Sequence, residues 1–151
     1  MKAFSKLVIT IFYIGLFPKA PGTVASFATI LLWILFINLN IKIFFVLIVF
    51  VLFITSFYFI DIYLGDNRNN DPKEVVIDEV IGQSIPLIFF PYSNEIIFIF
   101  LIFIFFRFFD IFKVFPINII DKWNGSKGIM LDDVLAGIYS LILISLISII
   151  V

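Results

Sequence analysis

Two of the most versatile side chains in protein chemistry are missing from this chain: its 151 residues include no cysteine and no histidine. Without cysteine there is no disulfide, no thiol nucleophile and no thiolate metal site. Without histidine there is no Ser-His-Asp triad, no imidazole-bound zinc and no phosphohistidine. Charge is scarce as well. Charged residues make up 14% of the chain and hydrophobic residues 63%, against about 25% and about 45–50% in soluble domains. A soluble sphere of this composition would expose large apolar patches, so the solvent for much of the chain is lipid. Disorder and a nucleic-acid-binding tail are excluded, and a net charge of −1 steers no polyanion. Any catalysis can draw only on carboxylates, Lys, Arg, hydroxyls and backbone, with or without a hard metal ion. The length suits a single domain over 1–151.

Long uncharged runs are what the chain has instead. Residues 24–41, 43–60 and 134–151 contain no charge except Lys42 between the first two, and each is long enough to span a hydrocarbon core of about 30 Å. Apolar residues run all round them, as in spans rather than surface helices. The run at 85–106 is interrupted by Pro86, Pro91, Asn94 and Glu95. It therefore reads as a re-entrant segment or hairpin: a short arm over 85–91, a turn at Tyr92–Glu95 and a return helix over 96–109. Residues 7–17 are short for a span and follow Lys2 and Lys6. They read as an interfacial or re-entrant N-terminal helix rather than a cleaved leader. The expected fold is an all-α polytopic membrane bundle. In it, Lys19, Lys73, Arg107, Lys113, Lys122 and Lys127 lie on one side and Lys42 on the other, which makes the first side cytoplasmic.

The charges are concentrated: 61–79 and 107–133 each hold eight of the 21. Four polar blocks stand out. Phe17-Pro18-Lys19-Ala20-Pro21-Gly22-Thr23 reads as a rigid turn at a helix start, where Thr23 can cap and free N–H groups favour an anion. In Asp71–Gln83, Asp71 reads as an N-cap with Pro72 at the first helical position. Glu74 and Asp78 then share a face, as do Glu79 and Gln83. Arg107, Asp110 and Lys113 recur every third residue and form one polar stripe, whose plain reading is an interfacial ion-pair ladder. Gly125–Gly137 brings Asp132 and Asp133 to the mouth of the last span, where aspartates are also ordinary capping residues. Yet Asp78, Glu79, Asp132 and Asp133 make two acidic pairs on one face. A carboxylate set without His or Cys suits Mg²⁺ or Mn²⁺, and a bound cation accounts for like charges gathering in apolar surroundings.

Taken in order, FPKAPGT, VVIDEVIGQ, FFRFFDIFK and GIMLDDVLAG span residues 17–137 and resemble the phosphatidylglycerophosphatase A family of bacterial lipid phosphatases. Val114 stands where that family usually carries proline. The resemblance implies an all-helical, Mg²⁺-dependent enzyme of the bacterial cytoplasmic membrane. Its substrate would be a phospholipid in the membrane, phosphatidylglycerophosphate, which it converts to phosphatidylglycerol. Asp78, Glu79, Asp132 and Asp133 are then the expected metal ligands, and Lys19, Thr23, Arg107 and Lys113 the expected phosphate contacts. Asp78, Asp110 and Asp133 are the expected catalytic residues, with Asp110 open as Arg107's partner, nucleophile or general acid. The competing class is a non-enzymatic membrane subunit or ion-coupled transporter component using the same carboxylates. The acidic signature of alcohol phosphatidyltransferases is absent, no nucleic-acid partner is expected, and nothing in the sequence names a protein partner.

Overall fold

The computed structural model describes residues 1–66, 72–91 and 95–150, and every described regular element is helical. In chain order these are α1 (Lys2–Ile9), a single 3₁₀ turn (Ile14–Leu16), α2 (Pro21–Asn38), α3 (Lys42–Leu64), α4 (Ile77–Phe89), α5 (Ile96–Phe112), α6 (Ile117–Ile120) and α7 (Ser126–Ile150). α2, α3 and α7 are long and apolar enough to cross a membrane. Their outer faces carry exposed large apolar residues, such as Leu31, Leu35, Phe44, Phe50, Ile54 and Leu146, as a protein solvated by lipid requires.

Several boundaries differ from those read in the sequence. The spans run longer toward one end, so that α3 reaches Leu64 and α7 begins at Ser126 rather than at 134. Of the charged residues at these ends, Asp61 turns inward to Ser126 N and Asp132 to Lys113, while Lys127 is exposed. α1 occupies Lys2–Ile9, so the run 7–17 is not one helix: 7–9 end α1, 10–13 are turn and 14–16 form the 3₁₀ turn. α2 starts at Pro21 after Ala20, which adopts left-handed backbone and gives no side-chain cap. Proline at the first helical position makes a cap on that nitrogen unnecessary, so Thr23 lies inside the helix and does not cap it. Pro72 precedes α4 by several residues and does not start it. Glu74 is off the helix and pairs instead with Lys6 at 3.1 Å, so Glu74 and Asp78 share no helical face. The proposed N-cap Asp71 and most of the turn at 92–95 lie outside the described residues.

Pro86 sits inside α4 rather than breaking it. Its missing N–H leaves the Gly82 carbonyl without its helical donor, and that carbonyl faces α7. A Cβ built on Gly137 would come within 2.3 Å of Gly82 O, and one on Gly82 within 2.5 Å of Asp133 O and 2.6 Å of Phe106 Cε2. α4 and α7 thus touch backbone to backbone, the close approach that small residues permit between membrane helices. α5 runs antiparallel to α4, since Phe106 abuts Gly82 while Phe98 meets Phe90 at 5.1 Å. The hairpin arms therefore return the chain to the end from which α4 started. At that end, Asp61 on α3 accepts a hydrogen bond from Ser126 N at 3.2 Å and caps α7 from another helix. Asp132 and Asp133 lie well inside α7, so capping does not explain them.

Candidate active site

One cleft of about 360 Å³ opens at this end, lined by Ala20 and the first residues of α2, Pro21 and Gly22, by Pro72, Lys73 and Val75 before α4, and by Asp78, Glu79, Arg107, Asp110, Lys113, Asp132 and Asp133. Three features of the chain build it. The first turn of α4 places Asp78 and Glu79 together. The glycine contact between α4 and α7 brings Asp133 against them, leaving ligand oxygens of Asp78, Glu79 and Asp133 within 4.8 Å of one another. Gly22 closes the third side: a Cβ there would sit 1.9 Å from Glu79 Oε1, so a side chain at 22 would displace that carboxylate.

The cations stand around this group. Arg107 Nη1 pairs with Asp110 Oδ2 at 2.5 Å, while Arg107 Nε is buried with no hydrogen-bond partner among the described residues. Lys113 reaches not to Asp110 but to Asp121 and to Asp132, the latter at 2.7 Å. The expected ladder is therefore split into two separate pairings. Burial alone would lower the Lys113 pKa, but its two carboxylate partners outweigh burial and hold it above the usual lysine value.

Of the expected metal ligands, Asp78, Glu79 and Asp133 converge, and Asp132 faces Lys113 instead. Of the expected phosphate contacts, Arg107 and Lys113 line the cleft. Lys19 is exposed beyond it and Thr23 lies one position past its wall. Lys73 also lines it; the sequence placed it on the same side as the other cations but gave it no role in the site, although it sits in the same acidic block as Asp78. Asp61 was missed as well; an acid at the end of an otherwise greasy helix was the available signal.

A clustered carboxylate set of this kind can bind a metal ion. Glu79 Oε2 and Asp133 Oδ2 are buried without hydrogen-bond partners among the described residues, and three acids packed together in apolar surroundings are costly unless a cation neutralises them. The donor set therefore fits a hard divalent ion.

The family model described as phosphatidylglycerophosphatase A matches residues 7–148. A protein of Bacteroides thetaiotaomicron named "Putative phosphatidylinositol-3-phosphatase" is 32% identical over an alignment that covers 92% of this chain and 90% of that one. No solved structure matches the chain significantly. Both likenesses are to enzymes that remove phosphate from lipids, and the cleft sets acids and cations together at the end of an apolar bundle. The chain belongs to the phosphatidylglycerophosphatase A family and is a membrane-embedded phosphoric monoester hydrolase acting on lipid.

Proposed function

We propose that the cleft hydrolyses the terminal phosphate of phosphatidylglycerophosphate, giving phosphatidylglycerol, with Mg²⁺ as cofactor. The observation that carries this reading is the meeting of Asp78, Glu79 and Asp133 with Lys73, Arg107 and Lys113 around one cleft. A phosphomonoester needs its charge countered and its reacting groups aligned. Bound by Asp78, Glu79 and Asp133, Mg²⁺ would polarise the phosphate and acidify a water. Arg107 offers a planar fork to two phosphate oxygens, and its ion pair with Asp110 fixes the orientation of that fork. The same ion pair favours Asp110 as Arg107's partner over a role as nucleophile. Lys73 and Lys113 add positive charge at the rim, and Asp132 holds Lys113 in place. Because the cleft lies at a bundle end rather than at mid-depth, a lipid headgroup reaches it without leaving the membrane. That position also favours the enzyme over the transporter reading, whose carboxylates belong in broken helices near the midplane.

The deciding assay is phosphate release by the purified protein from phosphatidylglycerophosphate, with Mg²⁺ or with chelator, and with phosphatidylinositol 3-phosphate in parallel. Mg²⁺-dependent release, faster from phosphatidylglycerophosphate, is expected. A higher kcat/KM for the inositol lipid would reassign the substrate, and undiminished release under chelation would remove Mg²⁺.

We place the protein in the bacterial cytoplasmic membrane with the cleft facing the cytoplasm. Lys19, Lys73, Arg107 and Lys113 flank the cleft end, whereas Lys42 starts α3 at the other, and positive charge marks the inside. Lys127 and Asn40 are exposed. With no native thiol, an impermeant maleimide applied to intact cells should label Asn40→Cys and spare Lys127→Cys. The reverse pattern would invert the topology.

A further inference from the structure

Beneath the cleft, and outside its lining, α2 and α4 carry polar side chains that the proposed reaction does not use. Ser26 and Gln83 are both 0% exposed. Ser26 Oγ, both polar atoms of the Gln83 amide and Glu79 Oε2 are buried with no hydrogen-bond partner among the described residues. Gln83 lies one helical turn beyond Glu79 and on the same face of α4.

Ser26 belongs opposite them by register. α2 and α4 run side by side in the same direction. Gly22 abuts Glu79, and further along Ile30 and Trp33 share a core cluster with Leu87 and Phe90. From the contact of 22 with 79, one helical turn along both helices sets 26 against 83, and the shared cluster shows the two helices still packed together beyond that point. Ser26 is likewise one turn beyond Gly22 on α2. The facing turns thus form a two-rung ladder, with glycine and glutamate at the cleft and serine and glutamine below.

Buried polar atoms on facing helices are satisfied by each other or by ordered water. They do not reach each other here, and a buried water needs two to four polar partners. Ser26 Oγ, the Gln83 amide and Glu79 Oε2 provide three. We infer that Ser26 and Gln83 hold one buried water against Glu79 Oε2, and that they are positioning residues orienting this carboxylate toward a divalent cation. The inference rests on the metal reading of the cleft. Its physical basis is general: groups hydrogen-bonded to a ligating carboxylate set its orientation and basicity, and losing them weakens metal binding by about 10–100-fold. The amide can donate to the water while the water donates to Glu79, which no apolar side chain of the same length can support.

The test is Mn²⁺ binding to the full-length protein in detergent, read by the electron paramagnetic resonance signal of free Mn²⁺, together with metal-free thermal melting. The unmodified chain should bind Mn²⁺; if it does not, the metal reading fails and this inference with it. Gln83→Met should weaken binding by about 10–100-fold and Ser26→Ala by less, with metal-free melting little changed. The double variant should bind no more weakly than Gln83→Met alone, because both residues act through one water. Binding by both single variants at the unmodified affinity would overturn the inference while leaving the metal site standing. Fully additive losses would overturn the shared water. If Gln83→Met fails to fold, Ser26→Ala, the smaller deletion on the other helix, decides.

Discussion

α3 and α4 are opposite kinds of membrane-protein helix. α3 is 23 residues long and buries five of them; α4 is 13 residues long and buries nine. α3 is apolar all round, faces lipid along most of its length and, among the described residues, contributes to the other helices the polar contact of the Asp61 cap. α4 carries two acids, an amide, a glycine and an internal proline, and it packs against α2, α3, α5 and α7. The long helix is a wall, whereas the short one is the centre on which every other part of the site is hung.

The sharpest way to break this contrast is to remove a cleft carboxylate while leaving its helix intact. Asp133→Asn should abolish turnover, costing more than about 3 kcal/mol of barrier lowering, with detergent melting unchanged. Near-normal phosphate release at saturating Mg²⁺ would strike Asp133 from the ligand set. Arg107→Lys keeps the charge but loses the fork, so kcat/KM should fall by about tenfold or more. Equal activity would reduce Arg107 to an interfacial anchor.

Next comes a steric effect with no chemistry in it. Gly82→Ala puts a methyl against Asp133 O and the Phe106 ring, and the fold should lose about 1–3 kcal/mol, seen as a lower melting temperature. Smallest of all, Ile54→Val on the exposed face of α3 should stay within about 0.5 kcal/mol and leave activity unaltered. A large effect there would mean that α3 is more than a wall.

Legibility in the sequence followed the same division. The walls could be read directly, because a long uncharged run has few ways to exist outside a membrane. The acidic pairs could be read because like charges in apolar context demand a neutraliser. What could not be read was how the pairs meet. Nothing local in VVIDEVIGQ says that α4 starts at Ile77 rather than at Pro72, since contacts with α1 hold the preceding residues out of the helix: Val76 N donates to Ile9 O at 3.0 Å and Glu74 pairs with Lys6. The partner of Lys113 depended on where α7 begins, and Asp61, remote in sequence, sets that beginning. Pro86 looked like a breaker because its lost hydrogen bond was visible and the glycine contact that accommodates it was not.

That glycine contact also bears on how mutational data for this enzyme would read. Gly82 and Gly137 hold no proton, metal or phosphate, yet a side chain at either must push α4 away from α7 and carry Asp78 and Glu79 away from Asp133. A saturation scan scored by growth alone would rank these two glycines beside the carboxylates, and tolerance would not separate hinge pin from blade. Only the manner of failure does so: a damaged carboxylate leaves a stable, silent protein, and a crowded glycine leaves one that melts early.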